Sequence, residues 1–162
     1  MTSSGTAVAG PIPVGSVAPD FELRDQNNRR VSLSGLREHG DVLAVFFPLA
    51  FTGTCEGELG HIRDNLPRFS DDTLTTVAVS VGPPPTHKVW SSAQGYLFPI
   101  LSDFWPHGEV ARSYGVLDEQ RGYSNRGTFL VGRDGLIRHS SMVGPGEART
   151  EDTWTAAFTA RS

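Results

Sequence analysis

The sequence predicts an α/β fold in which a mixed central sheet is flanked by helices, and three observations carry that prediction. "DVLAVFFPL" (41–49) and "TLTTVAVSV" (73–81) are continuous apolar or β-branched runs of strand length, as expected of parallel strands covered on both faces. Between them Leu59, Ile62, Leu66 and Phe69 recur at spacings of three, four and three, which places one apolar stripe on a helix starting near Gly53. The last third reads strand, turn, strand, helix: "GTFLVGRDGLIRHSSM" is two runs around Arg133-Asp134-Gly135, and Trp154, Ala157 and Phe158 mark a helix laid on the sheet.

The other elements follow in chain order. Residues 1–13, "MTSSGTAVAGPIP", are rich in Ser, Gly, Ala and Pro and read as a flexible tail, with one domain over 14–162. "DFELRDQNNRRVSL" alternates apolar and polar residues around Asp25-Gln26-Asn27-Asn28, which predicts an N-terminal β-hairpin from Phe21 to Leu33, peripheral to the sheet. Thr86 is placed to cap a helix through Gln94 that Gly95 closes, after which "FPILSD" returns as a short strand. "HGEVARSYG" is a short amphipathic helix with Gly115 just past its end. A β-α-β unit followed by a terminal β-β-α points to a thioredoxin-like architecture.

Composition narrows the functions available. At 162 residues one domain buries about 70% of its unfolded surface and needs no covalent staples. The net charge is −4 and the 14 Lys and Arg are scattered, so no nucleic-acid partner is expected. A single cysteine excludes an internal disulfide framework, a CxxC redox pair and a multi-thiolate metal site. The five histidines show no metal-ligand spacing, so no metal is expected. No stretch resembles a signal peptide or a membrane span, which gives the expectation of a cytoplasmic protein with a reduced thiol and no membrane partner.

That cysteine has a particular setting. In "PLAFTGTC" (48–55), Thr52 falls at the N-cap of the predicted helix and Cys55 at its third residue, the slot that Glu fills in a capping box. The sulfur is therefore expected to face the free N–H groups of the first turn and the Thr52 hydroxyl, a setting that favours thiolate over thiol and makes a nucleophile. Pro48 has no N–H and a fixed backbone, and is suited to shield the sulfur from water without competing for it. A lone cysteine is otherwise often a small buried hydrophobe.

The P-x-x-x-T-x-x-C pattern after an apolar strand resembles the active-site motif of the peroxiredoxins. With "VSVGPPPTHKVW", "FPILSDFWPHG" and "NRGTFLV", the likeness from about Val14 to Ala160 is to their one-cysteine class of mycobacterial type. It implies that Cys55 is the peroxidatic cysteine, attacking a hydroperoxide and becoming a sulfenic acid. It further implies that Thr52 holds the peroxide, that Arg126 is the distal arginine supplying positive charge, and that Glu58 orients that arginine. Implied substrates are hydrogen peroxide, alkyl or fatty-acid hydroperoxides and peroxynitrite. With no second cysteine the reductant is external, either mycothiol with a mycoredoxin or a thioredoxin-type protein, and no cofactor is needed. A homodimer built through loops near the site is implied as well.

Two alternatives share the strand-loop-helix cysteine. A thioredoxin-type disulfide reductase would want a second cysteine at position 52, where Thr stands. A redox sensor that oxidises at Cys55 without turning over has the same sequence requirements as the enzyme.

Overall fold

The computed structural model describes residues 10–162. The chain from 41 to 48 explains the architecture. Strand β3 (Asp41–Phe46) is buried along its whole length, and its side chains alternate between two cores as a period of two requires. Val42, Ala44 and Phe46 enter one apolar cluster with Phe21, Leu101, Tyr114 and Phe129. Leu43, Val45 and Phe47 enter the other with Cys55, Leu59, Ile62, Trp90 and Trp154. A run apolar at every position is thus a strand with a core on each side.

Seven strands form the sheet in the order β2-β1-β5-β4-β3-β8-β9. The strands β3, β4 (Leu74–Ser80) and β5 (Ile100–Ser102) are parallel. On one side β8 (Arg126–Val131) and β9 (Ile137–Val143) add antiparallel strands. On the other, β1 (Glu22–Arg24) pairs antiparallel with β2 (Arg30–Ser32) as predicted. The hairpin is not a separate decoration, however: β1 also pairs with β5 through Arg24 and Ser102 and extends the sheet. Its turn is held by Asp25, whose Oδ1 accepts from the Asn27 and Arg29 N–H groups at 2.9 Å.

The helices depart from the sequence reading at their ends. The stripe from Leu59 to Phe69 spans two helices, α2 (Gly53–Asp64) and α3 (Leu66–Phe69), separated at Asn65. Pro67 causes the break, because it has no N–H to continue the ladder. Helix α4 (Pro84–Gln94) is not capped by Thr86; its N-cap is Pro83, and the prolines that follow fill first-turn positions where a missing N–H costs nothing. Gly95 closes it as expected, at φ +74°. Helices α5 (Glu109–Ser113) and α6 (Glu151–Thr159) stand where predicted. The reading missed a four-residue helix α1 (Leu33–Leu36) and a small hairpin of β6 (Leu117–Asp118) and β7 (Tyr123–Ser124).

Of the tail expected over 1–13, residues 1–9 lie outside the described residues. The remainder is laid on the body: the Ile12 N–H donates to the Tyr114 carbonyl at 3.1 Å, and Ser140 Oγ donates to the Ile12 carbonyl at 2.6 Å.

Candidate active site

Cys55 sits at the third position of α2, at the carboxyl end of β3, and is completely buried. Thr52 is the N-cap, with extended backbone at φ −112° and ψ 145°. Its hydroxyl does not cap the helix as expected; it donates instead to the Leu49 carbonyl at 2.8 Å. The Glu56 N–H is the first to bond back, to the Thr52 carbonyl at 2.9 Å. The N–H groups of Gly53, Thr54 and Cys55 therefore have no partner within the helix, and the positive end of its dipole surrounds the sulfur. The turn leading in contains Phe51 at φ +64°, a left-handed conformation unusual for a bulky residue. Pro48, buried, follows Phe47, whose carbonyl accepts from Ser124 Oγ at 2.9 Å.

Arg126 opens β8, just ahead of the run read from Gly127, and it reaches the sulfur. Its Nη1 lies 3.3 Å from Cys55 Sγ and 2.7 Å from Glu58 Oε1. Nε and Nη2 both donate to the Pro145 carbonyl, at 3.2 and 2.9 Å. The fork is thus fixed on a backbone oxygen at one side while its other nitrogen bridges thiol and carboxylate. Arg126 is 3% and Glu58 7% exposed, so the bridge is in low dielectric, where it is strong and where a missing partner would be costly.

Arg149 is the residue the sequence reading missed. It is buried, and its Nη1 and backbone N–H donate to Glu58 Oε1 and Oε2 at 2.7 and 2.5 Å. Its Nε donates to Thr128 Oγ1 at 2.6 Å and Nη2 to the carbonyls of Phe46 and Gly127. Burial pulls its guanidinium down to about 10, against the opposing pull of Glu58, and it stays protonated at neutral pH. With Cys55 as thiolate the buried group carries two positive charges, Arg126 and Arg149, and two negative ones, Cys55 and Glu58, and sums to zero. Nothing in "GPGEART" distinguishes a buried arginine from a loop arginine. The only sequence signal is that a buried Glu58 needs more donors than one fork provides.

The far side of the first turn is also fixed. Trp90 Nε1 donates to Glu56 Oε2 at 3.1 Å, and Tyr96 OH to the Glu56 carbonyl at 3.3 Å. Phe47 and Trp90 are core residues, whereas Phe51, Phe104 and Trp105 are exposed, the last at 80%. Among the described residues no group of His, Cys, Asp and Glu is arranged to hold a metal, and no helix is long and apolar enough to cross a membrane.

A lone cysteine in the first turn of a helix in a thioredoxin-like fold, faced by a buried arginine, is the arrangement of a thiol-based redox enzyme. The chain belongs to the AhpC/TSA family, whose model matches residues 14–140. It is 57% identical over 147 residues to alkyl hydroperoxide reductase E of Mycobacterium tuberculosis, covering 91% of this chain and 96% of that protein. It is 32% identical over 157 residues to the chloroplastic 2-Cys peroxiredoxin BAS1 of Spinacia oleracea, covering 90% and 58%. Among solved structures, that of peroxidoxin BcpB from Mycobacterium tuberculosis superposes with a TM-score of 0.79 at 26% identity, over 92% of this chain and 98% of that one. The protein is a one-cysteine peroxiredoxin, a thiol peroxidase.

Proposed function

We propose that Cys55 is the peroxidatic thiol and that Thr52, Pro48, Arg126 and Glu58 serve it in the reduction of hydrogen peroxide, alkyl or fatty-acid hydroperoxides and peroxynitrite. The observation that carries the reading is Arg126 Nη1 held between Cys55 Sγ and Glu58 Oε1. The thiolate sulfur attacks the terminal oxygen of R–O–O–H, an S–O bond forms as the O–O bond breaks, and the electron pair leaves on RO⁻, which takes up a proton. Arg126 meets the charge that grows on the leaving oxygen. The Thr52 hydroxyl spends its hydrogen on Leu49, so its lone pairs are free to accept the peroxide O–H and hold it in line. Pro48, which offers no N–H, keeps the strand end from competing. Cys55 leaves the step as a sulfenic acid.

The single cysteine makes the second half-reaction dependent on an outside thiol. R′–SH condenses with Cys55–SOH to a mixed disulfide and water, and a second thiol releases the Cys55 thiolate and R′–S–S–R′. The reductant proposed is a mycothiol and mycoredoxin pair or a thioredoxin-type protein, in a cytoplasmic setting, with no bound cofactor. Phe51, Phe104 and Trp105, exposed near the carboxyl ends of the parallel strands, are proposed as the contact of a homodimer.

Trp90, bonded to the residue after Cys55, makes the test optical. Stopped-flow tryptophan fluorescence is expected to show fast oxidation of the wild type, none in Cys55→Ser, and rates lowered about 100- to 1,000-fold in Arg126→Ala and Thr52→Val with the fold intact. Wild-type oxidation no faster than that of free cysteine would overturn the assignment. Peroxide consumption that stops at one equivalent per subunit with every thiol offered would return the sensor reading.

A further inference from the structure

A groove of about 470 Å³ runs beside the catalytic cluster without containing its sulfur. It lies between α2 and the start of α6 and is lined by Thr54, Gly57, Glu58 and His61 on one side and by Ala148, Arg149, Glu151 and Trp154 on the other. That volume is in the range that holds a small organic molecule.

Its polar groups are short of acceptors. Trp154 is 3% exposed and lines the groove, and its indole N–H makes no hydrogen bond to a described residue. His61 is half-buried and stacks on Trp154 at 6.3 Å. Asn65 Nδ2 donates to the His61 carbonyl at 2.8 Å and faces His61 Nδ1 at 3.3 Å. Nδ1 therefore accepts, and in the neutral ring Nε2 carries the proton. That Nε2 is buried without a hydrogen-bond partner, 3.8 Å from Glu151 Oε1. Helix α6 begins here with no side-chain cap, and Glu151 and Asp152 in its first turn answer its dipole.

The two carboxylates on the groove do not meet that demand. Glu58 accepts from Arg126 and Arg149 and Glu151 from Arg68 and Thr155, and neither carboxylate is hydrogen-bonded to the ring N–H of His61 or Trp154 among the described residues. What remains is two ring N–H donors, of His61 and Trp154, without an acceptor among the described residues and beside an apolar indole face.

We propose that this groove binds the carboxylate of one of the two reactants, with the indole N–H of Trp154 as a donor and the reactant's carbon chain against Gly57 and Trp154. Gly57 leaves room for it, since a Cβ there would meet no atom within 4 Å. Glu58 belongs both to the groove wall and to the Arg126 bridge, so the bound reactant sits one side chain away from the catalytic arginine. The carboxylate comes from an acidic hydroperoxide or from an acidic thiol. This identity of the reactants rests on the thiol-peroxidase reading, whereas binding itself does not.

Binding is read on ¹⁵N-labelled Cys55→Ser protein, which has no reactive thiol. The indole resonance of Trp154, assigned by its loss in Trp154→Phe, is expected to shift saturably with butyrate and 3-mercaptopropionate and to stay in place with 1-butanol and 2-mercaptoethanol. No shift with either acid, or equal shifts with the neutral compounds, overturns the proposal even if the peroxidase activity is established. The source is then read on the active protein as rate ratios, acid over neutral partner of equal length, for a carboxylated against a plain alkyl hydroperoxide in the first half-reaction and for the two thiols in the second. One ratio is expected to exceed about 5 and to fall toward 1 in Trp154→Phe, which keeps the ring and deletes the N–H. A resonance shift with both ratios at 1 would overturn the assignment to a reactant.

Discussion

Glu58→Gln keeps the size and shape of a side chain and removes one negative charge from a buried group that holds two arginines. Removing one partner of a buried pair leaves a charge uncompensated, at a cost of about 3–5 kcal/mol. The variant is expected to lose stability on that scale in urea titration and to oxidise more slowly, because Arg126 loses the partner that aims it. A midpoint equal to the wild type's would show that the amide satisfies both forks and that charge balance is not what holds the cluster. The hydroxyl of Thr52 shows the opposite relation between sequence and structure. Its position as N-cap follows from sequence, but its hydrogen bond to Leu49 depends on the left-handed turn at Phe51, which no residue type announces.

Between elements, the buried His87 of α4 joins two strands. Its Nε2 lies 2.7 Å from Ser80 Oγ on β4 and its Nδ1 3.1 Å from Ser102 Oγ on β5, with Phe47 and Gly82 against the ring. Burial drives its pKa down to about 4, against about 6.5 when unfolded. Between those values the unfolded chain binds the proton and the folded one does not, so stability rises with pH through this window. Acidifying from about pH 6.5 to pH 4 is expected to remove about 3 kcal/mol, read from urea midpoints at several pH values. His87→Gln should flatten that slope, and a wild-type midpoint constant from pH 7 to 4 would refute the account. The elements that were legible in sequence are those with many residues voting the same way: β3, β4, α2 and α4. The three-residue strands β1, β2 and β5 were legible through the alternation and turn residues around them, whereas α1, α3 and the β6–β7 hairpin have no such flanking pattern and carry too few positions for a period to show. Arg149 was illegible for a related reason: one polar residue between a Gly-Pro loop and a helix has no pattern, and its burial is decided by Glu58, far away in sequence. Arg126 and Glu58 were found through family likeness, since an arginine opening a strand reads as a surface charge by default.

For the molecule as a whole, the sheet gathers the carboxyl ends of β3, β4 and β5 at one edge, and exposed Phe51, Phe104 and Trp105 stand near that end. If the proposed dimer uses them, Trp105→Glu should convert a dimer to a monomer in sedimentation velocity while circular dichroism stays unchanged; a dimer of undiminished stability would place the contact elsewhere. The same overall view gives Arg149 a further meaning. Cys55, Glu58 and Arg126 all leave the ribosome before it, yet Glu58 receives two of its three donors from Arg149. A nascent chain that has made Cys55 has therefore not yet made its electrostatic setting. The order of synthesis keeps the thiol in an unfinished surrounding until α6 can dock, so translation itself delays the moment at which this cysteine can meet a peroxide under the conditions its mature fold creates.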